Sequence, residues 1–131
     1  MRKISISASA CIWAAMLFLL LPLRWIFCAA IAAAFHEACH ILAVSLCGGR
    51  VRKVDVGDRG AVILADGISA GETLFCVLAG PIGSLLLMLF VRWIPRIAFC
   101  ALVQGVYNLL PIYPLDGGRA IRCVQDMKNR P

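Results

Sequence analysis

A chain of 131 residues has room for one domain, and 62% of it is hydrophobic, more apolar surface than a soluble core of that size can hide. The formal net charge of +6 would suggest nucleic acid in a soluble protein. Here the basic residues mostly flank long apolar runs, which excludes nucleic acid and leaves the lipid bilayer and its acidic headgroups as partners.

Behind Met1-Arg2-Lys3, an apolar run from Ile4 to Leu23 is long enough to cross a bilayer and is expected to be an uncleaved first span. The second span runs from Trp25 to Cys47 and is ended by Gly48-Gly49. Alanines at 29, 30, 32, 33 and 34 make its first half slim, which lets neighbouring helices come close. It carries His36-Glu37-Ala38-Cys39-His40. Residues four apart share a helix face, so His36 and His40 can present two imidazole nitrogens to one metal ion. Glu37 lies one step round, beside a water that such an ion would activate. Both histidines of the chain fall in this motif, and Glu37 is the only acid between Arg24 and Arg50. Two buried histidines satisfied by hydrogen bonds are the plainer alternative. An ionisable cluster within a membrane-length segment is costly, and that favours the metal. Cys39 points off the ligand face, and the seven cysteines, odd in number and without a CxxC pair, read as small buried hydrophobes.

Residues 50–67 form the one clearly polar connection. Strand-forming residues around Val51, Val54 and Val56, and again at Val62, Ile63 and Leu64, flank Gly57-Asp58-Arg59-Gly60, which predicts a β-hairpin. Such a hairpin serves either as a structural flap or as an edge for an extended peptide. The third span, about 70–91, holds Ala79-Gly80-Pro81-Ile82-Gly83-Ser84, expected to be a kink and a close-packing site with the Ser84 hydroxyl at depth.

A fourth span, about 97–110, meets Pro111 and Pro114, which cannot both sit in a regular helix. The chain is therefore expected to run extended over 111–118, a broken backbone tolerated only where it is buried in protein or lines a cavity. His36 and Asn108 each lie 11 residues in from the start of their spans, about 16 Å from the same face. The broken segment can thus bring Asp116, the only carboxylate between Glu72 and Asp126, to the two histidines as a third ligand. Gly117 and Gly118 are expected to let the chain turn at φ values other residues avoid. Arg119 is the competing partner for the Asp116 carboxylate, although its side chain is expected to reach the headgroups instead. The tail from Arg119 to Pro131 is too short for a domain.

These features predict an all-α polytopic membrane protein, one domain over 1–131, with about four transmembrane helices, a small hairpin at 50–67 and a broken fourth span. The side holding both termini and the hairpin carries ten Lys/Arg and the other side three, Arg24, Arg92 and Arg96, so the former is expected to be cytoplasmic.

The His-Glu-x-x-His span, the Gly-Pro span and the segment Asn108-Leu109-Leu110-Pro111-Ile112-Tyr113-Pro114-Leu115-Asp116-Gly117-Gly118 resemble the site-2 protease family, the intramembrane zinc metalloproteases of peptidase family M50. The last segment is most similar to the bacterial sporulation-type group, which processes a membrane-tethered sigma-factor precursor. The resemblance covers residues 25 to 119. It implies one zinc ion on His36, His40 and Asp116, with Glu37 as catalytic acid and base. It also implies a bacterial cell membrane location, a membrane-protein substrate cut within its transmembrane segment, and a regulatory membrane partner. Asn108, a polar side chain at depth, is a candidate to stabilise the oxyanion or else to cap carbonyls freed by Pro111. Family members often carry Asn where this chain has Ser84, so a substrate contact there would fall to a hydroxyl. Extra spans and the PDZ or CBS domains of many members are not seen, so the chain reads as a minimal catalytic core. A non-catalytic, membrane-embedded metal-binding protein of the same fold is the alternative, and a small metal carrier a more distant one. Glu37 argues against both, since neither needs it.

Overall fold

The computed structural model describes residues 4–6, 22–57 and 60–129. Strand β1 is Ile4–Ile6, helix α1 is Leu23–Leu46, strands β2 and β3 are Arg50–Gly57 and Gly60–Asp66, and α2 is Ala70–Leu86. A single 3-10 stretch, Leu87–Phe90, continues α2; helices α3, Pro95–Asn108, and α4, Asp116–Lys128, follow. The described residues are thus mainly helical.

Among them, two helical stretches are long and apolar enough to cross a membrane, Leu23–Leu46 and Ala70–Phe90. Pro22 starts α1, its fixed φ suiting the entry to a helix. Gly48, at φ 72°, ends it in the left-handed turn that glycine adopts without strain. A capping box starts α2: Ser69 Oγ accepts from the Glu72 N–H, and Glu72 Oε2 accepts from the Ser69 N–H at 2.6 Å. The helix then runs through Pro81 to Leu86.

Three expectations meet a different outcome in part. The predicted first span covers 4–23; residues 4–6 are a strand, paired parallel to Val54–Val56 of β2, and 7–21 lie outside the described residues. The alternation of β-branched Ile4 and Ile6 about Ser5 suits a strand. The fourth span, expected over about 97–110 and broken before Pro111, is helical over Pro95–Asn108, 14 residues. The segment 111–118 is not extended throughout, because Asp116 opens α4. Five of the cysteines, at 28, 39, 47, 100 and 123, are half-buried rather than buried, because they sit on or beside outward faces; Cys76 is buried.

Strands β2 and β3 pair antiparallel from Arg50–Asp66 to Gly57–Gly60, with an irregularity between Val51 and Lys53, and the sheet order is β1-β2-β3. Helices α1, α2 and α3 pack against one another, and α4 packs on α2. The packing is tight where side chains are small: Ala32, Ala98 and Ala101 have no exposed surface. The largest fully buried side chains are His36, Pro81 and Ser84, while Phe27, Leu46, Leu89 and Trp93 face outward. Large apolar side chains outside and polar ones inside suit a protein whose solvent is lipid.

Candidate metal centre

His36 and His40 sit on one face of α1, as their spacing requires, with both side chains buried. Their rings meet edge to face, centroids 4.8 Å apart, and their Nε2 atoms are 3.2 Å apart. Asp116 comes from the other end of the chain. Asp116 Oδ2 lies 3.1 Å from His36 Nε2 and 3.2 Å from His40 Nε2.

The three atoms form a nearly equilateral triangle. Zinc–nitrogen bonds of about 2.0–2.1 Å place tetrahedral ligand atoms about 3.3–3.4 Å apart, close to the sides observed. The donor chemistry fits as well. The Cys76 carbonyl can only accept, so His40 Nδ1, 2.7 Å away, donates its N–H to it. That leaves a lone pair on His40 Nε2, aimed at a carboxylate oxygen. Two lone-pair atoms at 3.2 Å repel unless a cation or proton lies between them. His36, His40 and Asp116 form the three-ligand group, all buried, that a metal ion could occupy among the described residues.

Two glycines of α2 make room for it. A Cβ on Gly80 would press on His40 Nε2 and Cε1 and on His36 Nε2. One on Gly83 would press on Cys39 Sγ, which turns that thiol toward α2 and away from the triangle. The Gly-Pro-x-Gly cluster thus supplies bare backbone where the histidines lean over.

Asp116 is placed by the loop that follows α3. The helix stops at Asn108, Leu110 N–H bonds back to the Tyr107 carbonyl, and Leu115 N–H bonds to the Ile112 carbonyl. Tyr113–Pro114 is cis. Asp116 then takes the first turn of α4, where a helix N-terminus favours a carboxylate. Gly117 and Gly118 do not have the positive φ expected of them. They are needed for space: a Cβ on Gly117 would meet the Leu109 and Leu110 carbonyls, and one on Gly118 would meet the Ile112 and Tyr113 backbone.

Asp116 also has a second partner. Its Oδ1 lies 3.4 Å from Arg119 Nη1. The expectation that Arg119 reaches past Asp116 to headgroups is corrected here. The carboxylate has two oxygens, one facing the histidines and one facing Arg119. Arg122, in turn, stacks its guanidinium 3.8 Å from the Tyr113 ring, tying α4 to the loop.

Glu37 Oε2 is a buried acceptor without a hydrogen-bond partner among the described residues, one step along α1 from His36. Asn108 Nδ2 is 3.3 Å from His36 Nε2, so the last residue of α3 reaches the triangle. Ser84 lies inside the helix packing beside His36. Its side chain is fully buried and its Oγ is 2.9 Å from His36 Nδ1. Sequence reasoning missed the Cys76 carbonyl, since a backbone acceptor leaves no trace in residue type. It also missed the pairing of Ser84 with a ring 48 residues away.

The sequence model of a family described as Peptidase M50B-like matches residues 9–113. Among solved structures, the site-2 protease from Methanocaldococcus jannaschii has a similar fold, with a TM-score of 0.75 at 20% identity over 96% of this chain and 68% of that one. No curated protein matches the sequence.

Proposed function

Because the chain belongs to the Peptidase M50B-like family and has the fold of a site-2 protease, we propose that it is a zinc-dependent intramembrane endopeptidase that cuts membrane proteins within a transmembrane segment. The observation that carries this reading is the triangle of His36 Nε2, His40 Nε2 and Asp116 Oδ2, with sides of 3.1–3.2 Å, built beside Glu37, whose buried Oε2 has no hydrogen-bond partner among the described residues. Zinc held there would supply a Lewis acid and a water of pKa about 7. Glu37 accepts the proton of the attacking water and later returns it to the leaving amine. Asn108 directs its amide N–H at the centre, where a developing oxyanion is stabilised. A substrate helix must open locally, since an intact helix keeps its carbonyls hydrogen-bonded.

In this reading residues 1–131 act as one membrane-embedded domain with a cytoplasmic hairpin and cytoplasmic termini in a bacterial cell membrane. The pairing of Ile4–Ile6 with Val54–Val56 supports that topology, because it sets the first residues on the side where α1 ends. The family likeness and the form of the 108–119 segment support a role in regulated intramembrane proteolysis, of the kind the sporulation-type group performs, with a membrane partner as regulator.

Glu37→Gln decides the mechanism. The amide keeps its shape but cannot accept the proton. Purified protein should retain zinc and helical content while cleavage of a membrane-tethered substrate falls on the order of 10²–10⁴-fold. Cleavage near the wild-type rate would sink the assignment.

A further inference from the structure

We propose that Ser84 is a positioning residue of the metal centre, holding the His36 ring so that its Nε2 faces His40 and Asp116. The proposal rests on the metal reading above. Cys76, Gly80 and Ser84 follow one another at intervals of four on α2 and so form one row along that helix. The row lies against the turn of α1 that carries the two histidines. At one end the Cys76 carbonyl takes the His40 Nδ1 proton at 2.7 Å; at the other, Ser84 Oγ sits 2.9 Å from His36 Nδ1.

The Cα atoms of Cys76 and Ser84 are about 12 Å apart along α2 and those of the histidines about 6 Å apart along α1, so the two anchors bracket the pair. Each ring is held at Nδ1 from α2, and the two rings converge at Nε2, 3.2 Å apart. Gly80, halfway between the anchors, leaves the clearance that this convergence needs. The Ser84 hydroxyl has nowhere else to go: it is 0% exposed, and Gly105 of α3 closes on its Cβ so nearly that a methyl there would lie 3.1 Å away. With a metal on Nε2 the His36 proton lies on Nδ1, and the Ser84 hydroxyl, which can accept as well as donate, accepts it there.

The test uses the full chain in detergent, with Ser84→Ala and Ser84→Cys. The cysteine keeps the branching with a somewhat larger atom and exchanges a strong acceptor for a weak one. Zinc affinity is read by competition with a chromophoric chelator. Tautomers are read after loading with Co²⁺, from the solvent-exchangeable, paramagnetically shifted imidazole N–H resonances. The wild type should show two such resonances. Ser84→Ala should bind zinc about 10- to 100-fold more weakly and exchange one resonance rapidly. Ser84→Cys should weaken zinc in the same direction, and it decides the matter if the alanine variant does not fold. Wild-type affinity in the cysteine variant, with both resonances retained, would show that Ser84 only fills space and would overturn the proposal alone. A wild type that takes up no zinc would bring down the metal reading and this proposal together.

Discussion

Asp116 does two jobs with one carboxylate. Oδ2 completes the triangle with the histidines, and Oδ1 faces Arg119. Removing the charge removes both, so Asp116→Asn should lower zinc content and activity together. Arg119→Ala leaves the ligand atom in place and removes the guanidinium that faces Oδ1. Zinc affinity should then fall about tenfold, the low end for a residue behind a ligand, and saturating zinc should restore occupancy. Zinc content after dialysis against buffered free zinc separates the two. Full occupancy in Asp116→Asn would show that the ligand is misassigned. The histidine pair was legible because a four-residue spacing is a statement about a helix face. Asp116 was legible because a lone carboxylate between two prolines and two glycines has few reasons to lie at depth. The division of labour between its oxygens was not, since no sequence pattern records which oxygen faces which cation.

At the scale of the elements, glycine is the residue that lets the helices meet. Gly80 brings α2 against the imidazoles, and Gly117 and Gly118 bring α4 against the chain that leaves α3. Gly80→Ala is the sharper test. Alanine favours a helix interior over glycine by about 1 kcal/mol, so helical content should hold. Its methyl would nonetheless push on both Nε2 atoms, and zinc binding should be lost. Circular dichroism and zinc content measured on one sample check both halves; normal zinc in a normally helical protein would refute the packing account. Gly117→Ala should also melt earlier, because its methyl meets backbone oxygens that cannot swing aside. The sequence pointed to these glycines as places of turning and close packing. The structure keeps the close packing, and positive φ only at Gly48 and Gly67 among the described residues. A glycine that frees the backbone and one that makes room for a neighbour look alike until the neighbour is known. The capping box at Ser69 and Glu72 was not read from the sequence, where it is hidden at the boundary of an apolar run.

For the whole molecule, topology is the open measurement. A reporter fused after Pro131 should read cytoplasmic, and one inserted at Pro95 should read external; the reverse would overturn the orientation drawn from the basic residues. Metal and fold should also be linked, because the ligands come from α1 and α4 while the groups holding the rings come from α2. Chelation should therefore lower the melting temperature, and added zinc should restore it. The inward placement of small and polar residues, with Leu and Phe outside, has a consequence for how this sequence tolerates change. In most soluble proteins a mutational scan is harshest at large apolar side chains. Here the pattern should invert. Exchanges among Leu, Ile, Phe and Val at positions such as Phe27, Leu46 and Leu89 should pass almost unnoticed. Adding a single methylene at Ala32, Ala98 or Ala101 should be among the least permitted changes in the chain, so that its smallest residues carry its strictest constraints.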